Sequence, residues 1–144
     1  KARLATEVPV ATEGGAYLTV RDEDKENLVP VAQELVAIGF TLYATEGTAD
    51  ALRRHDVPVT TVYRIAEGKH PDALDLMRQG KVSFIVNVPT VSGGAVRDGN
   101  MMRRLAVELN IPFVTTMRGA SMEVAAMRAH IEEDLQPRKL TVHY

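Results

Sequence analysis

Five short apolar runs alternate along this chain with stretches patterned for helix, and that alternation restricts the fold more than any other feature of the sequence. The runs fall at residues 16–20, 41–44, 59–63, 82–88 and 113–115. Between the first two, residues 24–38 place Leu28, Val31, Ala32, Leu35 and Val36 on one helical face. Further helices are expected at 48–55, 71–79, 100–109 and 121–134. Strand, helix and strand in succession call for parallel pairing through right-handed crossovers. The expected architecture is therefore α/β: a doubly wound, mainly five-stranded parallel sheet with helices on both faces.

Glycine and proline punctuate this pattern. Gly39 and Gly80 stop the first and third helices. Pro30 lacks an N–H and is tolerated only near a first turn, so the first helix is expected to begin around Asn27. A loop containing Pro89, Gly93 and Gly94 precedes the fourth helix, and Ser121 is expected to cap the last one. Residues 140–143 read as a short edge strand. Residues 1–15 are mixed and polar; they read as a lead-in from an upstream segment, or else as the N-terminal stretch of a free-standing protein. Residues 16–144 read as one domain, large enough to bury a core of its own.

Several function classes drop out. A net charge of −2 gives no global attraction to nucleic acid or acidic membranes, and neither is expected as a partner. No apolar run approaches the ~20 residues that span a bilayer, and no signal-peptide pattern is present. The absence of cysteine removes disulfide scaffolds and thiolate metal sites and fits a cytoplasmic protein. Neither G-x-x-x-x-G-K-[ST] nor G-x-G-x-x-G occurs. His55, His70, His130 and His143 lack i, i+4 partners, so no metal site is expected. Asp22, Asp24, Asp72, Asp98 and His70 are available for acid–base work, but none stands in a motif that fixes a role. Met101 and Met102 read as core.

Ligands in open α/β sheets bind beyond the carboxyl ends of the strands. The second strand leads there into Ala44-Thr45-Glu46-Gly47-Thr48-Ala49, two hydroxyls and a glycine at a strand-to-helix turn. Free N–H groups and the positive end of a helix dipole favour an anion at such a turn, most often a phosphate. The other strand ends add Arg21, Asp22, Asp24 and Lys25; Arg64, Lys69 and His70; Asn87, Thr90, Ser92, Gly93 and Gly94; and Thr115, Thr116 and Arg118. Cations, hydroxyls and amides dominate, which suits a phosphate or carboxylate. Glu46 does not: a carboxylate beside an anion site must face away or pair with a cation such as Lys25 or Arg64.

The segments Thr19-Val20-Arg21-Asp22-Glu23-Asp24-Lys25, Tyr43 to Ala49, Arg64 to Gly68 and Ile85-Val86-Asn87 together resemble the methylglyoxal-synthase-like fold. The resemblance is strongest to its regulatory branch, the C-terminal allosteric domain of carbamoyl-phosphate synthase large subunits, and runs from about residue 16 to about residue 128. It implies an effector site built from Thr19, Lys25, Thr45, Gly47, Thr48, Arg64, Asn87 and Thr90, for a phosphorylated effector of the UMP or IMP kind, with no catalytic residue and no cofactor in this domain. It further implies a parent enzyme that uses ATP and magnesium to make carbamoyl phosphate from bicarbonate and glutamine or ammonia. The partners implied are the synthetase halves of the same subunit and a small glutaminase subunit. The branch usually carries lysine at Arg64, and threonine or serine where Val88-Pro89 stand, so Thr90 or Ser92 would substitute. The lyase branch, which acts on dihydroxyacetone phosphate, is the alternative. It carries a histidine where this chain has Arg21, and another histidine before an aspartate where this chain has Arg97-Asp98.

Overall fold

A computed structural model of the chain describes residues 14–90 and 93–135. The expectations for residues 1–13, Ser92 and residues 140–143 lie outside the described residues. Five strands, β1 (Gly15–Val20), β2 (Thr41–Ala44), β3 (Thr60–Thr61), β4 (Phe84–Val88) and β5 (Phe113–Val114), form one sheet in the order β3-β2-β1-β4-β5. Every pairing is parallel. The helices are α1 (Lys25–Ile38), α2 (Glu46–Arg53), α3 (Ala73–Arg78), α4 (Gly93–Leu109) and α5 (Met117–Leu135), with short 3-10 turns at Asp22–Asp24 and Ile65–Glu67.

The period of two along each strand sorts the core into two layers. Ala16, Leu18 and Val20 of β1 and Phe84, Val86 and Val88 of β4 pack with Leu28 and Leu35 of α1, Leu52 of α2 and Met127 of α5. Tyr17 and Ile85 point the other way, onto Leu76 and Met77 of α3 and Met102 and Ala106 of α4. Both faces of the central strands are therefore covered, as parallel sheets require. Gly15, at the start of β1, admits no side chain: a Cβ there would stand 2.1 Å from the Lys81 carbonyl oxygen and 2.7 Å from the Tyr43 ring.

Several element boundaries differ from expectation. α1 begins at Lys25, not near Asn27, and contains Pro30. Pro30 and Glu26 are both exposed, so the Glu26 carbonyl that Pro30 cannot serve meets water. α2 begins two residues earlier than the apolar pattern suggests, because Glu46 and Gly47 form its polar first turn. Gly93 and Gly94, expected in a loop, belong to the start of α4. Thr116 replaces Ser121 at the head of α5, its hydroxyl accepting the Gly119 N–H at 2.9 Å, and Ser121 lies inside the helix. The third helix begins after Asp72, whose carboxylate caps it by accepting the Asp75 N–H at 3.0 Å. Met102 is buried, but Met101 is exposed on the outer side of α4. Gly39 does end α1 as expected, at a φ of 122° that few side chains tolerate.

Gly15→Ala is expected to destabilise the fold by about 3 kcal/mol, since the new methyl meets backbone and not a movable side chain. Urea unfolding of the two proteins checks this.

Candidate functional site

From β1 the chain winds outward to β2 and β3 on one side and, later, to β4 and β5 on the other. The connections leaving β1 and β4 therefore part above the seam between those strands, and a crevice opens at their carboxyl ends. Thr19 and Asn87 lie directly opposite each other across this seam. A cleft of about 260 Å³ stands over them, and all eight residues Thr19, Lys25, Thr45, Gly47, Thr48, Arg64, Asn87 and Thr90 line it.

The wall toward β2 is the head of α2. Thr45 takes the N-cap position in an extended conformation, yet its side chain makes no capping bond. Its hydroxyl lies 3.4 Å from that of Thr19 instead. The N–H groups of Glu46, Gly47 and Thr48 have no acceptor within the helix, so this helix start keeps its positive end available to the cleft. Thr48 is buried, and its hydroxyl lies 3.3 Å from the Val20 nitrogen and 3.5 Å from the Val20 oxygen, where β1 runs past the end of β2. Both contacts are long for hydrogen bonds, so the hydroxyl retains capacity for another partner. Lys25 packs beside Gly47: a Cβ at residue 47 would stand 3.6 Å from Lys25 Cε, an ordinary contact.

Lys25 donates to the Val20 carbonyl at 3.0 Å and to Asp22 Oδ1 at 2.7 Å. Arg21 also faces the cleft and donates from Nε to Asp24 Oδ2 at 2.7 Å. These pairs raise the Arg21 pKa and hold the Asp22 and Asp24 carboxyls below the usual carboxylate range; the hydrogen bond from the cation comes first in each case. Glu46 pairs with neither Lys25 nor Arg64. It is exposed in the first turn of α2, where the dipole favours a carboxylate, and does not line the cleft.

Opposite, Arg64 leads into the 3-10 turn at Ile65–Glu67, and Glu67 accepts the Arg64 N–H at 3.1 Å. The Asp98 carboxylate of α4 accepts the Ala66 N–H at 3.2 Å, which ties this turn to α4 across the cleft. Asn87 is 6% exposed as a residue, and its carboxamide is open to the cleft it lines and not sealed in the core. It lies against Gly99 of α4, where a Cβ would come within 2.6 Å of Asn87 Nδ2. Tyr17 completes the floor. Burial first, then the carboxylates of Asp98 and Asp72, push its phenol far above the ordinary value, with Arg64 opposing, so it stays a neutral hydroxyl.

Tyr17, Ile65, Asp98 and Met102 line the cleft without having been assigned to it from sequence. The alternation of β1 puts Tyr17 and Thr19 on one face and was the available signal for Tyr17. Lys69, His70, Thr115, Thr116 and Arg118 lie outside the cleft, although each follows a strand. Lys69 stands 5.6 Å from the Tyr63 ring centre, and Thr116 caps α5.

His70, Asp72 and Asp75 each place a potential metal-ligating atom within 4.8 Å of the others. Hydrogen bonding accounts for this grouping: Asp72 and Asp75 exchange backbone N–H bonds at 3.0 and 2.9 Å, and His70 Nδ1 lies 2.6 Å from Asp75 Oδ2. The bond to Asp75 raises the His70 pKa, while the Asp72 backbone N–H and then His70 lower that of Asp75. A raised imidazole contributes stability that is complete below its unfolded pKa and is lost as pH rises through the folded one. A lowered carboxyl contributes stability present above its unfolded pKa and lost as pH falls through the folded one. The pair thus supports the fold most between the two ranges. His70→Gln is expected to remove the part of the decline in melting temperature that begins above about pH 6.5, and thermal melts across that range check it.

Known proteins place this architecture. A family model described as the MGS-like domain matches residues 27–115. The chain is 43% identical over 130 residues to the carbamoyl phosphate synthase large chain, C-terminal section, of Methanocaldococcus jannaschii, covering 90% of this chain and 21% of that protein. It is 41% identical over 127 residues to the corresponding section from Methanopyrus kandleri, covering 88% and 23%. To the carbamoyl phosphate synthase large chain of Synechocystis it is 36% identical over 141 residues, covering 97% and 13%. The chain thus spans less than a quarter of these relatives. The crystal structure of methylglyoxal synthase from Elizabethkingia anophelis superposes with a TM-score of 0.54 at 16% identity, covering 85% of this chain and 78% of that one, which establishes the shared fold. No helix among the described residues is long and apolar enough to cross a membrane.

Proposed function

Because the chain belongs to the MGS-like domain family, we propose that it is the effector-binding regulatory domain of a carbamoyl phosphate synthase large chain, with a nucleoside monophosphate such as UMP or IMP held in the β1–β4 cleft. One observation carries this reading: the eight residues assigned to the effector by resemblance converge on a single cleft where Lys25 and Arg64 flank an uncapped helix start. The phosphate would sit at the head of α2, against the N–H groups of Gly47 and Thr48 and the Lys25 ammonium. The Asn87 carboxamide and the Thr90 side chain would meet the rest of the ligand.

The parent enzyme would make carbamoyl phosphate in the cytoplasm from bicarbonate, ATP and glutamine or ammonia. Its synthetase halves would carry the ATP and magnesium, and a glutaminase subunit would supply nitrogen from glutamine. Regulation requires the effector to favour one packing of this domain on those halves over another. The domain itself is assigned no chemistry. No histidine lines the cleft among the described residues, and Arg21 and Arg97 stand where the lyase branch is expected to carry histidines.

Calorimetry with UMP, IMP and N-acetylglutamate tests the reading. A mononucleotide is expected to bind, and Lys25→Ala to weaken it about tenfold, the loss of one charge-assisted contact. Binding by none of the three, together with an unaltered effector response of the parent enzyme carrying Lys25→Ala and Thr48→Ala, overturns the assignment. Production of methylglyoxal from dihydroxyacetone phosphate also overturns it.

A further inference from the structure

The three cations at the cleft share a pattern that anion binding alone does not require. Each is paired with a carboxylate three residues away: Arg21 with Asp24, Lys25 with Asp22 and Arg64 with Glu67. Two of these carboxylates have a second hydrogen-bond partner close by. Asp24 is largely buried and also accepts from Asn27 Nδ2 at 3.3 Å. Glu67 accepts the Arg64 N–H that opens its own turn. Asp22 differs. Its side chain is 95% exposed while that of Lys25 is 17% exposed, and Lys25 is its one hydrogen-bond partner among the described residues. Lys25, in contrast, keeps a second anchor on the Val20 carbonyl at 3.0 Å. If the ion pair parts, the ammonium stays at the cleft and only the carboxylate departs into water.

We infer that Asp22 is an internal competitor for the ligand's anionic group: in the free protein its carboxylate occupies Lys25, and a bound phosphate takes its place. The inference rests on the anion site proposed above and adds what sets that site's threshold. An exposed ion pair is worth little, so the carboxylate yields to a phosphate that also engages the α2 N–H groups. A singly charged ion that reaches only Lys25 gains almost nothing over Asp22. The device therefore selects for ligands that contact the helix start and the cation together.

Titration of the full chain with inorganic phosphate, followed by NMR at constant ionic strength, tests this. Asp22→Asn is expected to tighten the apparent Kd about two- to fivefold, the equivalent of one surface ion pair. Asp22→Glu, which keeps the charge, is expected to bind as the wild type does. Glu23→Gln removes the same charge from the same exposed turn without touching Lys25, and is expected to move the Kd less than Asp22→Asn. Equal gains from Asp22→Asn and Glu23→Gln would reduce the effect to background charge and overturn competition. Weaker or unchanged binding by Asp22→Asn also overturns it, since Asp22 would then steer Lys25 and not block it, while the anion site itself would stand. Phosphate bound by neither wild type nor variant overturns both.

Discussion

The position of β1 at the centre of an all-parallel sheet governs everything else in this molecule. A parallel strand buried on both faces commits its odd and even residues to opposite layers, so a slip of one residue would turn Tyr17 and Thr19 into the wrong core. The register Thr19 against Asn87 follows from that commitment. The same central position forces the chain to wind away on both sides, which parts the loops above the β1–β4 seam. Fold and cleft are thus two results of one topological choice, and the packed layers beneath explain how groups from five stretches of the chain meet at one cleft.

The cleft combines two sources of positive potential that differ in how they respond to solvent. The head of α2 supplies oriented N–H groups fixed by the backbone, which need no reorganisation when an anion arrives. The side-chain cations come with their own carboxylates, which keep the empty cleft close to neutral. Such compensation limits the repulsion among Arg21, Lys25 and Arg64 in the free protein.

Much of this was legible in the sequence, for identifiable reasons. The five apolar runs and the glycines after the first and third helices mark elements through periodicity and through backbone angles that only glycine adopts easily. Seven of the eight cleft residues stood among the polar strand-end positions, while Thr19, and the choice of these eight from the longer set, came from the family resemblance. Helix starts were not. Polar first turns such as Glu46-Gly47 and Gly93-Gly94 carry no apolar period, so the second and fourth helices were read as beginning late. Pro30 misled because a helix can leave a carbonyl unpaired at no great cost where water reaches it. The contributions of Tyr17 and Asp98 depend on which side of an element faces the seam and on a contact between residues 32 positions apart, Ala66 and Asp98, that no local pattern records.

Gly99 gives the cleft a second point of control. It does not itself line the cavity, yet the absence of its side chain leaves the Asn87 carboxamide its place. A side chain at this one position would press on the amide and could turn it, exchanging the donor for the acceptor that faces the cleft, while every lining residue stays the same. What the cleft presents is thus set in part by a helix position that does not line it.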